Sequence, residues 1–181
     1  GPLFRALPKE LLTKIVPAER AVMLHRVSKV ARTALMAARP AAVVKAKGGG
    51  ARIAGLEERL RAIMSWCMIS GLELSYAALG PADIKSSLEQ VLRQCSSSLA
   101  HLNLFRNQIG AEGAGRLAGV LGQCSSLAHL DLGGNGIGDE GAGRLAGVLG
   151  QCSSLAHLDL GGNQIGDEGA GRLAGVLGQC S

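Results

Sequence analysis

The chain has 181 residues, 47% of them hydrophobic, and a formal net charge of +5. That is enough apolar material for a packed core, which excludes a disordered chain, while no apolar run reaches the roughly 18 residues a membrane-spanning helix needs. With aromatics at only 2% and 27 glycines, the core must be built from Leu, Ala and Val with closely approaching backbones.

Charge divides the chain in two. Residues 1–61 carry 13 Lys/Arg against 4 acids (+9), and residues 62–181 carry 6 against 10 (−4). Two differently built parts are expected. The first predicted unit, residues 1–40, is a small basic α-helical segment. It contains Leu7-Pro8-Lys9-Glu10-Leu11-Leu12, then Ile15, Leu24, Val27-Ser28-Lys29 and Arg32, with Pro8 placed where a helix start tolerates proline. This pattern resembles the F-box. The resemblance implies docking onto a Skp1-like adaptor of a cullin-RING (SCF-type) ubiquitin ligase through Leu7, Pro8, Leu11, Ile15, Leu24 and Val27. The stretch from Ile15 to Val27 is shorter than the family pattern, and Ala31 stands where the family has Trp. Read from the residues alone, 1–40 is also compatible with a generic basic helical cap or with a transit peptide, and no signal-peptide architecture is visible. Its basic residues are scattered, Phe4 is its one aromatic and no nucleic-acid motif is present, which argues against a nucleic-acid partner.

Residues 41–55, with Lys45, Lys47 and Gly48-Gly49-Gly50, are expected to be a flexible linker. Leu56, Leu60, Ile63 and Met64 have helical spacing, so residues 56–68 are expected to form a capping helix. Residues 69–181 are repetitive. The clearest copies run Leu99, Leu102, Leu104, Asn107, Ile109, then Leu127, Leu130, Leu132, Asn135, Ile137, then Leu155, Leu158, Leu160, Asn163, Ile165. A weaker copy precedes them, with Ile69, Leu72, Leu74, Ala77 and Leu79 at an offset of 30, and with helical positions Leu88, Leu92 and Cys95 at an offset of 29. Alternation at Leu102 and Leu104 predicts a short strand, and the three-and-four spacing of Ala142, Leu145, Ala146 and Leu149 predicts a helix after it.

Such a unit cannot bury its apolar face alone, so copies must stack. Strands about 4.8 Å apart and helices about 10 Å apart cannot stack straight, so a parallel sheet lines the concave side and helices the convex side. The pattern resembles the leucine-rich repeat of the ribonuclease-inhibitor type. The fold class expected is therefore α/β, a right-handed leucine-rich-repeat solenoid preceded by a small helical segment. Asn107, Asn135 and Asn163 fall where the chain leaves each strand, and their amides are expected to form a buried ladder. The chain starts without Met and stops inside a repeat, so it reads as a fragment with further repeats beyond Ser181.

Glu112–Arg116, Glu140–Arg144 and Glu168–Arg172 are favourable i,i+4 pairs expected on the convex face. Gly141, Gly143 and Gly147 are expected to serve close helix packing at a cost in helix propensity. Cys95, Cys124, Cys152 and Cys180 follow the repeat and are read as small buried hydrophobes in a reducing compartment, which places the protein in the cytoplasm or nucleus.

Strand alternation leaves His101, Asn103 and Phe105, followed by Arg106, then His129 and Asp131, then His157 and Asp159, facing a partner. Phe105 and Arg106 replace the Gly-Gly of later copies and are residue types favoured as anchors. No metal, cofactor or small-molecule substrate is expected, and neither is an enzyme, since no nucleophile with a base, no ligand set and no nucleotide loop appears. The expected function is a protein-interaction scaffold. A substrate-recognition subunit of a ubiquitin ligase is the sharper form, and a GTPase-activating or NOD-like-receptor-type regulator is the alternative.

Overall fold

A computed structural model gives the fold and describes residues 41–45 and 68–177. The F-box-like segment with its docking residues, most of the linker, and the capping helix apart from Met68 lie outside the described residues. The elements are β1 (Ala41–Lys45), β2 (Met68–Glu73), α1 (Pro81–Asp83), a π-helical turn (Ile84–Leu88), α2 (Glu89–Cys95), β3 (His101–Asn103), α3 (Gly110–Leu121), β4 (His129–Asp131), α4 (Gly138–Leu149), β5 (His157–Asp159) and α5 (Asp167–Leu177). They build an α/β leucine-rich-repeat solenoid.

One parallel sheet runs in the order β1-β2-β3-β4-β5. From β2 to β5 the register matches repeat to repeat: Leu72 opposes Leu102, Leu102 opposes Leu130, and Leu130 opposes Leu158. The inward Leu side chains of β2, β3 and β4 are buried, with Leu74, Leu104 and Leu132 one step further on. Each strand is short, yet pairing continues past it: Leu104 N–H donates to the Asp131 carbonyl at 2.8 Å and Arg106 N–H to the Gly133 carbonyl at 2.8 Å.

β1 corrects the linker expectation for its first five residues. Val43 and Val44 are β-branched and suit a strand, and Ala41–Lys45 pairs parallel with β2 through an irregularity between Ala42 and Val43. Gly71 lets the strand pass: a Cβ there would sit 3.1 Å from Val43 Cγ1. Lys45 Nζ meets Glu73 Oε2 at 3.3 Å. Lys45, one of the residues that suggested a linker, is the last residue of this strand.

The helices bury the expected stripe, Ala114, Leu117, Ala118 and Leu121 in α3 and Ala142, Leu145, Ala146 and Leu149 in α4. Cys95 and Cys124 are buried at the ends of this stripe, and burial, followed by the charge of the next cysteine along, pushes their thiols up to about 12 and about 11. Gly141 seats neighbouring atoms closely, since a Cβ there would lie 3.1 Å from Ala111 Cα and 3.2 Å from Ala114 Cβ. Gly143 instead makes room for the Arg172 guanidinium, and Gly147 has open space around it. Close helix packing therefore explains Gly141 alone of the three.

The first repeat is longer, and the structure shows where. Leu79 to Leu88 spans nine steps, whereas Ile109 to Leu117 spans eight. The extra residue is absorbed in the π turn Ile84–Leu88, the usual way a helix accommodates an insertion without losing its face. A second extra residue, in Ser96-Ser97-Ser98, completes the difference between the offset of 30 from the first strand to the second and the offset of 28 between later strands.

The asparagines form the ladder. Asn135 Nδ2 donates to the carbonyls of Leu104 at 3.0 Å and Leu132 at 2.8 Å, while its Oδ1 accepts Asn107 N–H. Asn107 and Asn163 repeat this geometry, and all three are buried. Asp139 also ties repeats together. Its Oδ1 accepts Gly166 N–H at 2.7 Å and Gly169 N–H at 2.9 Å, so it caps the following helix from the preceding repeat.

Candidate concave interaction face

Strand register places the outward side chains in rows across the sheet. The first row is His101, His129 and His157. Their rings stack, with centroids 4.3 Å and 4.4 Å apart and planes 13° and 7° from parallel. Parallel strands repeat at about 4.8 Å, so identical side chains in identical rotamers must lie face to face. Partial burial between its neighbours, then the charges of His101 and His157, holds His129 below the usual imidazole value.

The second row is Glu73, Asn103, Asp131 and Asp159. Three of these also hold the backbone. The Oδ1 of Asn103, Asp131 and Asp159 accepts the N–H two residues on, from Phe105 at 2.9 Å, Gly133 at 2.9 Å and Gly161 at 2.7 Å. These are Asx turns that end each strand. The residues read from sequence as contacts are thus also strand terminators. Both rows line a trough of about 400 Å³.

Beyond the acidic row, the chain continues as Ser75-Tyr76, Phe105-Arg106, Gly133-Gly134 and Gly161-Gly162. The second residue of each pair lies in left-handed backbone, with φ of 55° at Tyr76, 50° at Arg106, 68° at Gly134 and 67° at Gly162. Glycine takes this conformation at little cost, whereas an L side chain costs roughly 1–2 kcal/mol. Tyr76 and Phe105 meet edge to face at 5.5 Å and 80°. The Arg106 guanidinium carbon lies 5.9 Å from the Tyr76 ring centre and 5.5 Å from that of Phe105, cation–π distances. Tyr76 is 54% exposed.

Phe105 and Arg106 rest on the following glycines. A Cβ on Gly133 would meet Phe105 Cδ2 at 3.0 Å, and one on Gly134 would meet Arg106 Cγ at 3.1 Å. Phe105, Arg106, Gln108, Gly134, Gly161 and Gly162 help line a second hollow of about 590 Å³.

All eight residues expected to face a partner lie on this open side, and Phe105 and Arg106 come together with Tyr76. Sequence reasoning missed Tyr76 and Glu73. The signal was available: at the offset of 30 that aligns the weak copy, Tyr76 falls on Arg106 and Glu73 on Asn103. On the convex side the expected ion pairs form, with Arg116–Glu112 at 2.9 Å and Arg144–Glu140 and Arg172–Glu168 at 2.6 Å. Among the described residues no group of three His, Cys, Asp or Glu side chains is placed to hold a metal ion, and no helix is long and apolar enough to cross a membrane.

A parallel sheet with an asparagine ladder, strand-ending Asx turns and helices on the far side defines a leucine-rich-repeat fold. The family model described as "Leucine Rich repeat" matches residues 95–118, 123–146 and 151–174. Among solved structures, the chain is similar to the tropomodulin C-terminal domain of Caenorhabditis elegans, with a TM-score of 0.52 and 16% identity over 74% of this chain and 83% of that one. At that identity the likeness is one of fold. No curated protein matches the chain.

Proposed function

We propose that this chain is a protein-interaction scaffold that seats a partner on the concave sheet face, and that it is not an enzyme. The single observation that supports this reading most is the contrast between faces. The convex arginines of α3, α4 and α5 are each paired with a glutamate of their own helix, whereas the concave side presents ordered rows of His, carboxylate, aromatic and Arg side chains. The test uses two sets of variants, His129→Ala with Asp159→Ser on the concave face and Arg144→Ala with Arg172→Ala on the convex face. Loss of a partner by the first set alone supports the reading, and retention by the first set overturns it.

The sharper reading, a substrate-recognition subunit of an SCF-type ubiquitin ligase, is supported by the F-box-like sequence of residues 1–40. Copurification of a Skp1-like adaptor with the 181-residue chain, lost on Leu11→Ala with Ile15→Ala, is the expected result. No adaptor binding by the unaltered chain would remove that reading and leave the scaffold reading standing.

A further inference from the structure

We propose that Tyr76, Phe105 and Arg106 form an anchor for an acidic peptide segment, one that carries an apolar side chain beside a carboxylate. The proposal rests on the scaffold reading and specifies what the partner brings to this end of the sheet. Four observations carry it.

First, later repeats show what this position needs structurally. Gly134 and Gly162 occupy the same left-handed backbone as Arg106 and Tyr76, so glycine meets every requirement of the fold. A tyrosine and an arginine stand there against a conformational cost, and their side chains point to a use outside the fold. Second, Arg106 carries an unpaired charge: among the described residues no carboxylate lies within ion-pair distance of it, although each convex Arg of α3, α4 and α5 has one.

Third, the two rings fix the guanidinium in place. A planar cation held this way is pre-organised to grip a carboxylate with two parallel hydrogen bonds. Fourth, the next two repeats supply a floor without side chains. Gly134, Gly161 and Gly162 leave a hollow of about 590 Å³ beside Arg106, open enough for extended backbone to lie close, with an apolar side chain against Phe105. Asp131 and Asp159, in the acidic row behind it, repel a carboxylate elsewhere on the face and direct it to Arg106.

The test titrates the ¹⁵N-labelled 181-residue chain with a terminally blocked tetrapeptide containing leucine beside aspartate, and with the asparagine and lysine counterparts. The expected result is that the aspartate peptide shifts the Arg106 side-chain N–H and the amides of Gly134, Gly161 and Gly162. The asparagine peptide should bind about tenfold more weakly, the loss of one charge-assisted pair.

Arg106→Gly should abolish the shifts while keeping or raising Tm, a result that a purely structural role for Arg106 would not give. Arg106→Gln, which keeps the stem over Gly134, should lose binding too, and it decides the matter if the glycine variant fails to fold. Equal binding of the asparagine or lysine peptide, no shifts at millimolar aspartate peptide, or full binding by both Arg106 variants would each overturn the anchor. If the anchor fails while His129→Ala still releases a partner, the scaffold reading survives; if no concave variant affects any partner, that reading fails instead.

Discussion

The side-chain carbonyl of Asn135 accepts the backbone N–H of Asn107 at 3.1 Å, across the boundary between two repeats. Because the same amide also donates to carbonyls on both sides of that boundary, one buried side chain satisfies backbone groups of two strands at once. Asn135→Ala should lower stability by roughly 1–3 kcal/mol, since buried groups lose their partners without gaining water. Arg144→Ala removes an exposed ion pair and should cost only about 0.2–0.5 kcal/mol. Urea unfolding of the two variants distinguishes them; equal midpoints would contradict the assignment of inside and outside.

Glycines within one helix should respond oppositely to alanine. Gly147→Ala adds a methyl group in open space and should raise stability by up to about 1 kcal/mol through helix propensity. Gly141→Ala forces a Cβ towards Ile137 Cγ2, at 2.5 Å, and Ala111 Cα, at 3.1 Å. It should destabilise by about 1–3 kcal/mol, as overpacking does. Thermal melts of the pair provide the check.

Asp139→Ala should loosen α5 more than α4. Asp139 belongs to α4 but caps the N-terminal N–H groups of the next helix, and loss of such a cap costs about 0.5–2 kcal/mol. Amide exchange should quicken at Gly166 and Gly169 first. Faster exchange confined to α4 would refute the assignment.

Cys95 and Cys124 should resist thiol reagents in the folded chain at neutral pH and react on unfolding. Their pKa values are pushed up to about 12 and about 11, chiefly by burial, so the folded state favours the neutral thiol. Stability from this source is fully present below the ordinary thiol value of about 8.5 and is lost as pH rises beyond it towards the folded values. Native-state labelling followed by mass spectrometry measures it. Labelling of either cysteine at pH 7 without unfolding would count against it.

His129 has the opposite dependence. His129 is held below its usual value, so the unfolded chain takes up this proton first as pH falls. Stability should be constant above the ordinary imidazole value, about 6.5, and should decline below it as pH moves towards the lowered folded value. Replacing both His101 and His157 with Ser should raise the His129 titration midpoint, followed by NMR of the ring protons. An unchanged midpoint would show that the neighbours do not act on it.

Residues whose roles recur every repeat were legible in sequence. Leu102, Leu104 and Asn107 announce a strand, its inward face and its exit because Leu130, Leu132 and Asn135 say the same one period later. What happens once was harder to read. β1 has no second copy, and its two valines stand among basic and glycine residues that suggest a flexible chain. Tyr76 sits in the weakest copy, so its place beside Arg106 appears only when Leu72 and Leu74 fix the offset. Asp139 illustrates a different gap. It lies in the first turn of α4, yet its Oδ1 is engaged by the next helix, a relationship that depends on how far apart neighbouring helices lie.

The ladder has one more consequence, for kinetics observed amide by amide. Asn107 N–H is shielded by a side chain from the following repeat, and Asn135 N–H by Asn163 Oδ1 at 2.8 Å. Each of these protons therefore exchanges with solvent when its neighbour departs, whatever its own repeat is doing. In a stack whose units touch only adjacent units, local opening proceeds by steps. The exchange rate at Asn135 reports the opening of the repeat that carries Asn163, and the rate at Asn107 reports that of the repeat before it, so two protons time how unravelling travels along the solenoid.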